Sequence, residues 1–408
     1  MNAKLEQYAR LAVRVGVNIR EGQNLVISCP VECAYFARMC ATEAYAAGCR
    51  EVIVNWSDDY LSREKFLKAS DDVFDHIPSW QKALLTENAK QGSAFLHIGA
   101  SDPEKFRGVD PDRLRRNSLA AAELSEYREL SMSNYFPWCI VSVPIPSWAR
   151  KVFPGLDDEA AMAALWDRIF DAVRICDGGD AVEQWQNHIA TLKQRQDKLN
   201  ALHIKQLHYK NSLGTDLTVE LPEGHQWLGG SEVDHTGVEF VANMPTEEVF
   251  TAPKKTGVNG VAVASMPLVY NGNIIEDFSL TFEDGRIVAV SAAKGEEFLR
   301  AATSMDDGAA FLGEVALVPY DSAIRRAGVL FYNTLFDENA SCHFAFGSAY
   351  PACVKGGSEM DKEQLAQSGL NSSITHVDFM IGTSDLSITA LCEDGSRVPI
   401  FADGMFAM

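Results

Sequence analysis

The sequence lacks the common signals of membrane insertion, export and nucleic-acid binding. It contains no run of about 18 apolar residues, so we expect no membrane span. The first residues, Met1-Asn-Ala-Lys-Leu-Glu-Gln-Tyr8, include no apolar signal region, and we expect a cytoplasmic protein. Basic residues are outnumbered, with 36 Lys and Arg against 56 Asp and Glu. The resulting formal net charge of -20 disfavours nucleic-acid partners.

Paired cysteine motifs are also missing. The chain has nine cysteines at irregular spacings and no Cys-x-x-Cys, which argues against a zinc ribbon or a thioredoxin motif. An odd count without a disulfide-like framework predicts reduced thiols. The cysteines are residues 29, 33, 40, 49, 139, 176, 342, 353 and 392.

Several standard catalytic motifs do not occur. There is no phosphate-binding Gly-x-x-x-x-Gly-Lys-Ser/Thr loop, no Gly-x-Gly-x-x-Gly, no Gly-x-Ser-x-Gly and no His-Glu-x-x-His. Nucleotide-binding loops and nucleophile-elbow hydrolases are therefore disfavoured. Any metal site must be assembled from separate segments of the chain.

The first half of the chain alternates between helical and strand patterns. Short apolar runs of strand length occur at 24–28, 51–56, 94–99 and 139–143, with helical patterns at 5–17, 31–47 and 111–130. Such alternation predicts a mainly parallel sheet covered by helices. A largely helical stretch follows from 159 to 202. We place the domain boundary within it, near residue 195, so that the α/β domain covers residues 1–195.

The second half has a different pattern. Turn sequences separate alternating apolar runs at Gly214, 270–273, 283–286 and 393–396, which is typical of antiparallel hairpins. Helices are expected near 296–304 and 361–369. Residues 196–408 therefore predict a β-rich α+β domain.

Candidate metal ligands gather in this second domain. His376 and Asp378 would share one face of a strand because side chains alternate along it, and their alternative is a surface-facing polar pair on an edge strand. Glu314 opens an apolar strand, where burial would require a partner or a metal, and its alternative is an exposed strand end. The remaining candidates equally fit turns or packed side chains: Glu248 (beside Glu247), Glu338 and His343.

Together these residues supply four carboxylates and two imidazoles. That number suffices for two adjacent divalent ions with a bridging carboxylate, a centre that can activate water for hydrolysis. Oxygen and nitrogen ligands without a thiolate suit Zn, Co or Mn.

Four segments resemble the M29 metallopeptidases, which include aminopeptidases T, S and II. They are Asn243-Met-Pro-Thr-Glu-Glu-Val-Phe-Thr-Ala-Pro253, Gly313-Glu-Val-Ala-Leu-Val-Pro319, Phe336-Asp-Glu-Asn-Ala-Ser-Cys-His-Phe-Ala-Phe-Gly-Ser-Ala-Tyr350 and His376-Val-Asp-Phe-Met-Ile-Gly382. The resemblance covers the whole chain, because its length and its order of domains also match.

The resemblance implies a two-metal aminopeptidase that acts on peptides with a free N-terminus. It implies that Glu248 and His343 bind one ion, that Glu338, His376 and Asp378 bind the other, and that Glu314 bridges them. Glu314, or alternatively Glu247, is expected to accept the proton of water, and Tyr350 to assist catalysis. The family also implies a homodimer, with an N-terminal domain that limits access to the site.

Three other interpretations remain open from the residues. The same two-metal chemistry would serve a deacylase or amidase acting on a non-peptide amide. A non-catalytic peptide-binding scaffold could keep the fold. A hydrolase built on Cys342 is weaker, since neighbouring residues such as Cys342 and His343 seldom face each other.

Overall fold

The computed structural model describes residues 1–176, 178–271 and 273–408. Asp177 and Gly272 lie outside the described residues. Part of the turn expected at 270–273 therefore also lies outside them. The chain forms two compact units, residues 1–188 with 231–246 and residues 189–230 with 247–408. The boundary expected near residue 195 stays a prediction.

The helices are concentrated before residue 202. The first is continued by a π-helical turn at Ala12–Gly16. In chain order the helices are α1 (Asn2–Leu11), α2 (Ala34–Ala46), α3 (Asp59–Lys68), α4 (Ser79–Lys90), α5 (Pro111–Ala120), α6 (Ser125–Met132), α7 (Pro146–Val152), α8 (Asp158–Ala172), α9 (Ala181–Ala201), α10 (Glu296–Ala302), α11 (Ala323–Arg326), α12 (Thr334–Asp337) and α13 (Lys362–Gln367).

The strands of the first half are few and those of the second half are many. They are β1 (Asn24–Pro30), β2 (Glu51–Ser57), β3 (Ala94–Gly99), β4 (Trp138–Ser142), β5 (Ile204–Lys210), β6 (Asp216–Glu220), β7 (Leu228–Gly229), β8 (Glu232–Val233), β9 (Glu239–Phe240), β10 (Asn243–Met244), β11 (Val249–Thr251), β12 (Val258–Val263), β13 (Leu268–Tyr270), β14 (Asn273–Glu283), β15 (Arg286–Lys294), β16 (Leu312–Leu317), β17 (His343–Gly347), β18 (His376–Met380), β19 (Ser387–Cys392), β20 (Arg397–Ala402) and β21 (Met405–Phe406).

The first unit contains a five-stranded sheet with the order β10-β4-β3-β1-β2, and every pair in it is parallel. Leu25, Val26 and Ile27 of β1 are all fully buried. A continuous apolar run of this kind is typical of a strand covered on both faces. The expected parallel α/β sheet is confirmed.

One helix expected in this unit is interrupted. The pattern at 111–130 predicts a single helix, but α5 ends at Ala120, a 3-10 turn follows at Ala121–Leu124, and α6 begins at Ser125. Neither the 3-10 turn nor α6 buries any residue fully. Leu124, Tyr127 and Leu130 are partly buried and pack against the cluster that contains Phe95 and Phe136.

The second unit is built on two antiparallel sheets. One has the order β18-β17-β16-β11-β7, and the other has the order β13-β14-β12-β6-β5-β19-β20-β21, with β15 also paired to β14. Buried residues of both sheets, among them Leu207, Phe344 and Phe379, belong to one apolar core. The expected β-rich second domain is confirmed.

The hairpin of β14 and β15 shows how turn residues set this topology. Asp284 and Gly285 both have positive φ, 47° and 85°, as tight hairpin turns with right-handed twist require. A side chain at Gly285 would place its Cβ 1.8 Å from the carbonyl oxygen of Lys255. Only glycine fits at that point.

Within the described ranges, no helix combines the length and the apolar character needed to cross a lipid bilayer. All nine cysteines are free thiols.

Candidate metal centre

A row of three residues crosses the sheet of the second unit. Glu314 of β16 pairs with Ala345 of β17, and Ala345 pairs with Asp378 of β18. Paired residues on neighbouring strands direct their side chains to the same face of a sheet. Because the residue between them is alanine, no long side chain of β17 separates the two carboxylates.

The same face of β17 also carries His343, two residues before Ala345, and Gly347, two residues after it. Gly347 pairs with His376 of β18, and a side chain there would place its Cβ 2.2 Å from the carbonyl oxygen of Thr375. Histidine, alanine and glycine thus alternate along this face of β17. The two-residue spacing of these positions is visible in the sequence. Only the strand order shows that they lie beside Glu314 and Asp378.

Glu314 lies between two groups of potential ligands. Its Oε1 is 3.4 Å from Nε2 of His343, and its Oε2 is 3.4 Å from Nε2 of His376. On one side, Oε2 of Glu248 lies 3.1 Å from Nε2 of His343. On the other, Oδ1 of Asp378 lies 3.3 Å from Nε2 of His376. Each group of three residues, with Glu314 in both, offers ligand atoms within 4.8 Å of one another.

Backbone carbonyls orient both imidazoles. Nδ1 of His376 lies 2.8 Å from the carbonyl oxygen of Ser348, and Nδ1 of His343 lies 3.3 Å from that of Ser341. A hydrogen on each Nδ1 would donate to these carbonyls and leave Nε2 free to bind a cation. Both Nε2 atoms point toward Glu314.

The cluster buries more negative charge than its imidazoles can balance. Burial opposes protonation of His343, but Glu248 and Glu314 outweigh it and raise the pKa of the imidazole well above its usual value. Burial also raises the pKa of Glu338, and the charges of Asp378 and Glu248 raise it further. Four buried carboxylates beside two imidazoles favour the binding of cations.

The residues fit divalent metal ions. Two atoms bound at about 2.1 Å with tetrahedral angles lie about 3.4 Å apart. The four nitrogen–oxygen distances, from 3.1 to 3.4 Å, agree with that separation. Oε2 of Glu248 is buried and makes no hydrogen bond, although Nε2 of His343 lies 3.1 Å away. A cation would satisfy this oxygen.

The structure places all of the candidate glutamates in buried positions. Glu314 lies within β16 and is only 5% exposed, so it is no exposed strand end. Glu338 lies in a buried 3-10 turn after α12 and outside the two compact groups, although its charge acts on theirs. Glu247 and Glu248 are both buried, and Glu248 joins the cluster.

Tyr350 borders the same cluster. Its ring centroid is 5.4 Å from that of His376 and 5.9 Å from that of Phe250. Burial and then the charges of Glu314 and Asp378 raise the pKa of the phenol well above its ordinary value. Tyr350 therefore presents a protonated hydroxyl beside the carboxylates.

Cys342 belongs to the core instead. Its Sγ donates to the carbonyl oxygen of Val318 at 3.3 Å, and burial raises the pKa of the thiol to about 12. A nucleophilic cysteine needs an accessible thiolate. The hypothesis of a hydrolase built on Cys342 has no structural support.

Comparison with known proteins identifies the family. The profile described as "Thermophilic metalloprotease (M29)" matches residues 1–406. The chain belongs to the M29 metallopeptidases. It is 46% identical to Aminopeptidase AmpS of Bacillus subtilis (strain 168) and 46% identical to Aminopeptidase 2 of Geobacillus stearothermophilus, each over 99% of this chain and 98% of the relative.

A solved M29 structure has the same fold. Wild-type AmpT from Thermus thermophilus superposes with a TM-score of 0.92 at 39% identity, over the full length of both chains. The family expected from the four sequence segments and the expected two-part fold are both confirmed. As an M29 member, this chain is a peptide-bond hydrolase of a metal-dependent class.

Proposed function

We propose that this protein is an aminopeptidase that removes N-terminal residues from peptides by means of two divalent ions. The observation that carries the proposal is the position of Glu314, whose two oxygens face two separate imidazoles at 3.4 Å. A carboxylate shared by two ligand groups is typical of sites that hold two ions about 3.5–4 Å apart. The aminopeptidase names of the M29 relatives support the exopeptidase activity.

The ligands divide into two sets. Glu248 and His343 would hold one ion, and His376 and Asp378 would hold the other, with Glu314 shared between them. We assign Glu338 to the second ion, as the resemblance of its segment to the M29 family implies. Zn, Co or Mn suits this set of oxygen and nitrogen donors. When bound, such ions supply Lewis acidity that polarises a carbonyl and lowers the pKa of water.

The protein's own groups then move protons and stabilise charge. Glu314 accepts a proton from the attacking water and returns it to the leaving amine, and Glu247 is the alternative acceptor. The hydroxyl of Tyr350 donates to the oxyanion that develops on the substrate carbonyl. Burial of this site keeps water from screening these interactions.

The surplus of buried carboxylates also explains the choice of substrate end. A peptide with a free N-terminus brings an α-ammonium, and its positive charge is attracted to the negative cluster. An acylated amine is neutral and lacks that electrostatic attraction. The reaction is therefore expected to require an unblocked amine.

The test compares Leu-p-nitroanilide with N-acetyl-Leu-p-nitroanilide, using metal-loaded and chelator-treated protein. We expect hydrolysis of the unblocked substrate only, and only by metal-loaded protein. Equal rates on both substrates would indicate a deacylase or amidase instead of an aminopeptidase. No turnover by a protein that contains both ions would favour a peptide-binding scaffold.

We also propose a homodimer in which the first unit contributes the contact. Most exposed large apolar side chains of the described residues lie between residues 31 and 80, among them Trp56 and Tyr60. Trp56 belongs to β2, which ends the parallel sheet. Light scattering should give twice the chain mass of 44.8 kDa, and Trp56→Lys should lower it. A monomeric wild-type protein would contradict the dimer.

A further inference from the structure

Asn339 joins two segments that carry proposed ligands. Its side chain is fully buried, and its Oδ1 accepts a hydrogen bond from the backbone N–H of Glu247 at 2.7 Å. Its Nδ2 donates to the carbonyl oxygen of Leu335 at 3.1 Å and to Oε1 of Glu338 at 3.4 Å. One amide thus contacts the segment before Glu248 and the turn that carries Glu338.

Both segments have little regular structure of their own. Glu248 directly precedes β11, a strand of only three residues, and Glu338 begins a 3-10 turn of three residues. Short elements have few backbone hydrogen bonds to fix a side chain, so local tethers matter more. The N–H of Glu247 is the backbone donor immediately before Glu248 in the chain.

Glu248 and Glu338 are both buried, and ligands of neighbouring ions must stay within a few ångströms of one another. A side chain that already joins their segments lowers the conformational entropy that is lost when an ion binds.

We propose that Asn339 is a positioning residue that holds the Glu248 and Glu338 segments together before the ions bind. The inference rests on the proposed metal function. Asparagine suits the role because its amide offers an acceptor to Glu247 and two donors to the other segment. Leucine has a similar volume but neither group, so Asn339→Leu removes the tether while filling the space.

The experiment measures Zn²⁺ binding to chelator-stripped wild-type protein and to N339L and N339A, by competition with a chromophoric chelator. We expect at least one of two ions to bind about 10–100-fold more weakly in both variants, the usual effect of removing a group that orients ligands. Excess Zn²⁺ should restore kcat, since the ligands remain.

Asn200→Ala is the matched control. Asn200 makes a comparable bridge, accepting from the N–H of Trp227 at 2.8 Å and donating to its carbonyl oxygen at 3.0 Å. It contacts none of the proposed ligands through these bonds. We expect a lower thermal midpoint with unchanged Zn²⁺ affinity, which separates a stability effect from positioning.

Three results would overturn the inference. Wild-type affinity in folded N339L or N339A would remove Asn339 from the role while leaving the metal function intact. A wild-type protein that binds no divalent ion would overturn the proposed function and this inference together. Hydrogen exchange supplies a measurement on the wild-type apoprotein, where the Glu247 amide should be protected; rapid exchange would contradict the tether.

Discussion

Oε2 of Glu314 lies 3.4 Å from Nε2 of His376, and its other oxygen lies at the same distance from Nε2 of His343. No other carboxylate in the two ligand groups belongs to both. Loss of charge at Glu314 therefore affects both groups at once. This shared position makes Glu314 the most informative residue to change.

Glu314→Gln should lower kcat/KM by more than about 100-fold. Removal of a group that only orients metal ligands already lowers metal affinity or activity by about 10–100-fold. The amide keeps the volume, so the far-ultraviolet spectrum and thermal midpoint should stay close to wild type. Glu220→Gln, which changes a surface ion pair with Lys254, is the control and should keep full activity. An active E314Q protein with its full metal content would contradict the assignment.

Tyr350→Phe should lower kcat by about 100-fold with a smaller change in KM, because a hydroxyl that stabilises the oxyanion acts in the transition state. Steady-state kinetics on Leu-p-nitroanilide measure the two constants. Tyr320→Phe, which loses a hydrogen bond from Arg325, is the control and should preserve both. An effect of Y350F confined to KM would mean that the phenol only binds substrate.

Ala345→Val should prevent normal metal binding, because the added methyl groups enter the space between Glu314 and Asp378. Overpacking a buried site costs about 1–3 kcal/mol, so some loss of stability is also expected. Ala390→Val tests that cost alone, since Ala390 is equally buried but lies on β19 of the other sheet. Elemental analysis should show metal loss in A345V only. Full metal content in A345V would show that the row is not the binding site.

His97 should make the stability of the first unit sensitive to acid. Burial lowers the pKa of this imidazole from 6.5 to about 4, so the folded state binds fewer protons than the unfolded state between those values. Stability from His97 is therefore complete above pH 6.5 and lost as the pH falls toward 4. The full difference is about 3 kcal/mol, and partial exposure of the ring reduces it.

His97→Gln provides the measurement, because it removes the titrating group. Urea unfolding at pH 7 and pH 4.5 should show a smaller loss of stability in the variant than in the wild type. Other acid-sensitive groups contribute equally to both proteins and cancel in the comparison. An identical loss in the two proteins would contradict the assignment to His97.

Much of the fold was accessible from local patterns. The apolar runs at β1 to β4 and the hairpin around Asp284-Gly285 depend on nearby residues, and the structure confirms them. The sequence at 111–130 suits one continuous helix, but the structure interrupts it where Leu124 and Tyr127 pack against the apolar cluster around Phe95, and such tertiary contacts are not visible in local patterns. The four family segments also predicted M29 membership correctly.

The sequence alone determined the residue types of the centre: four carboxylates, two imidazoles and a period-two strand with His376 and Asp378 on one face. It could not determine which strands are neighbours, since pairing depends on contacts between residues far apart in the chain. Only the tertiary structure placed Ala345 between Glu314 and Asp378, and Asn339 against the backbone of Glu247. Those relationships decide whether scattered ligands can share an ion, because metal coordination requires separations of a few ångströms.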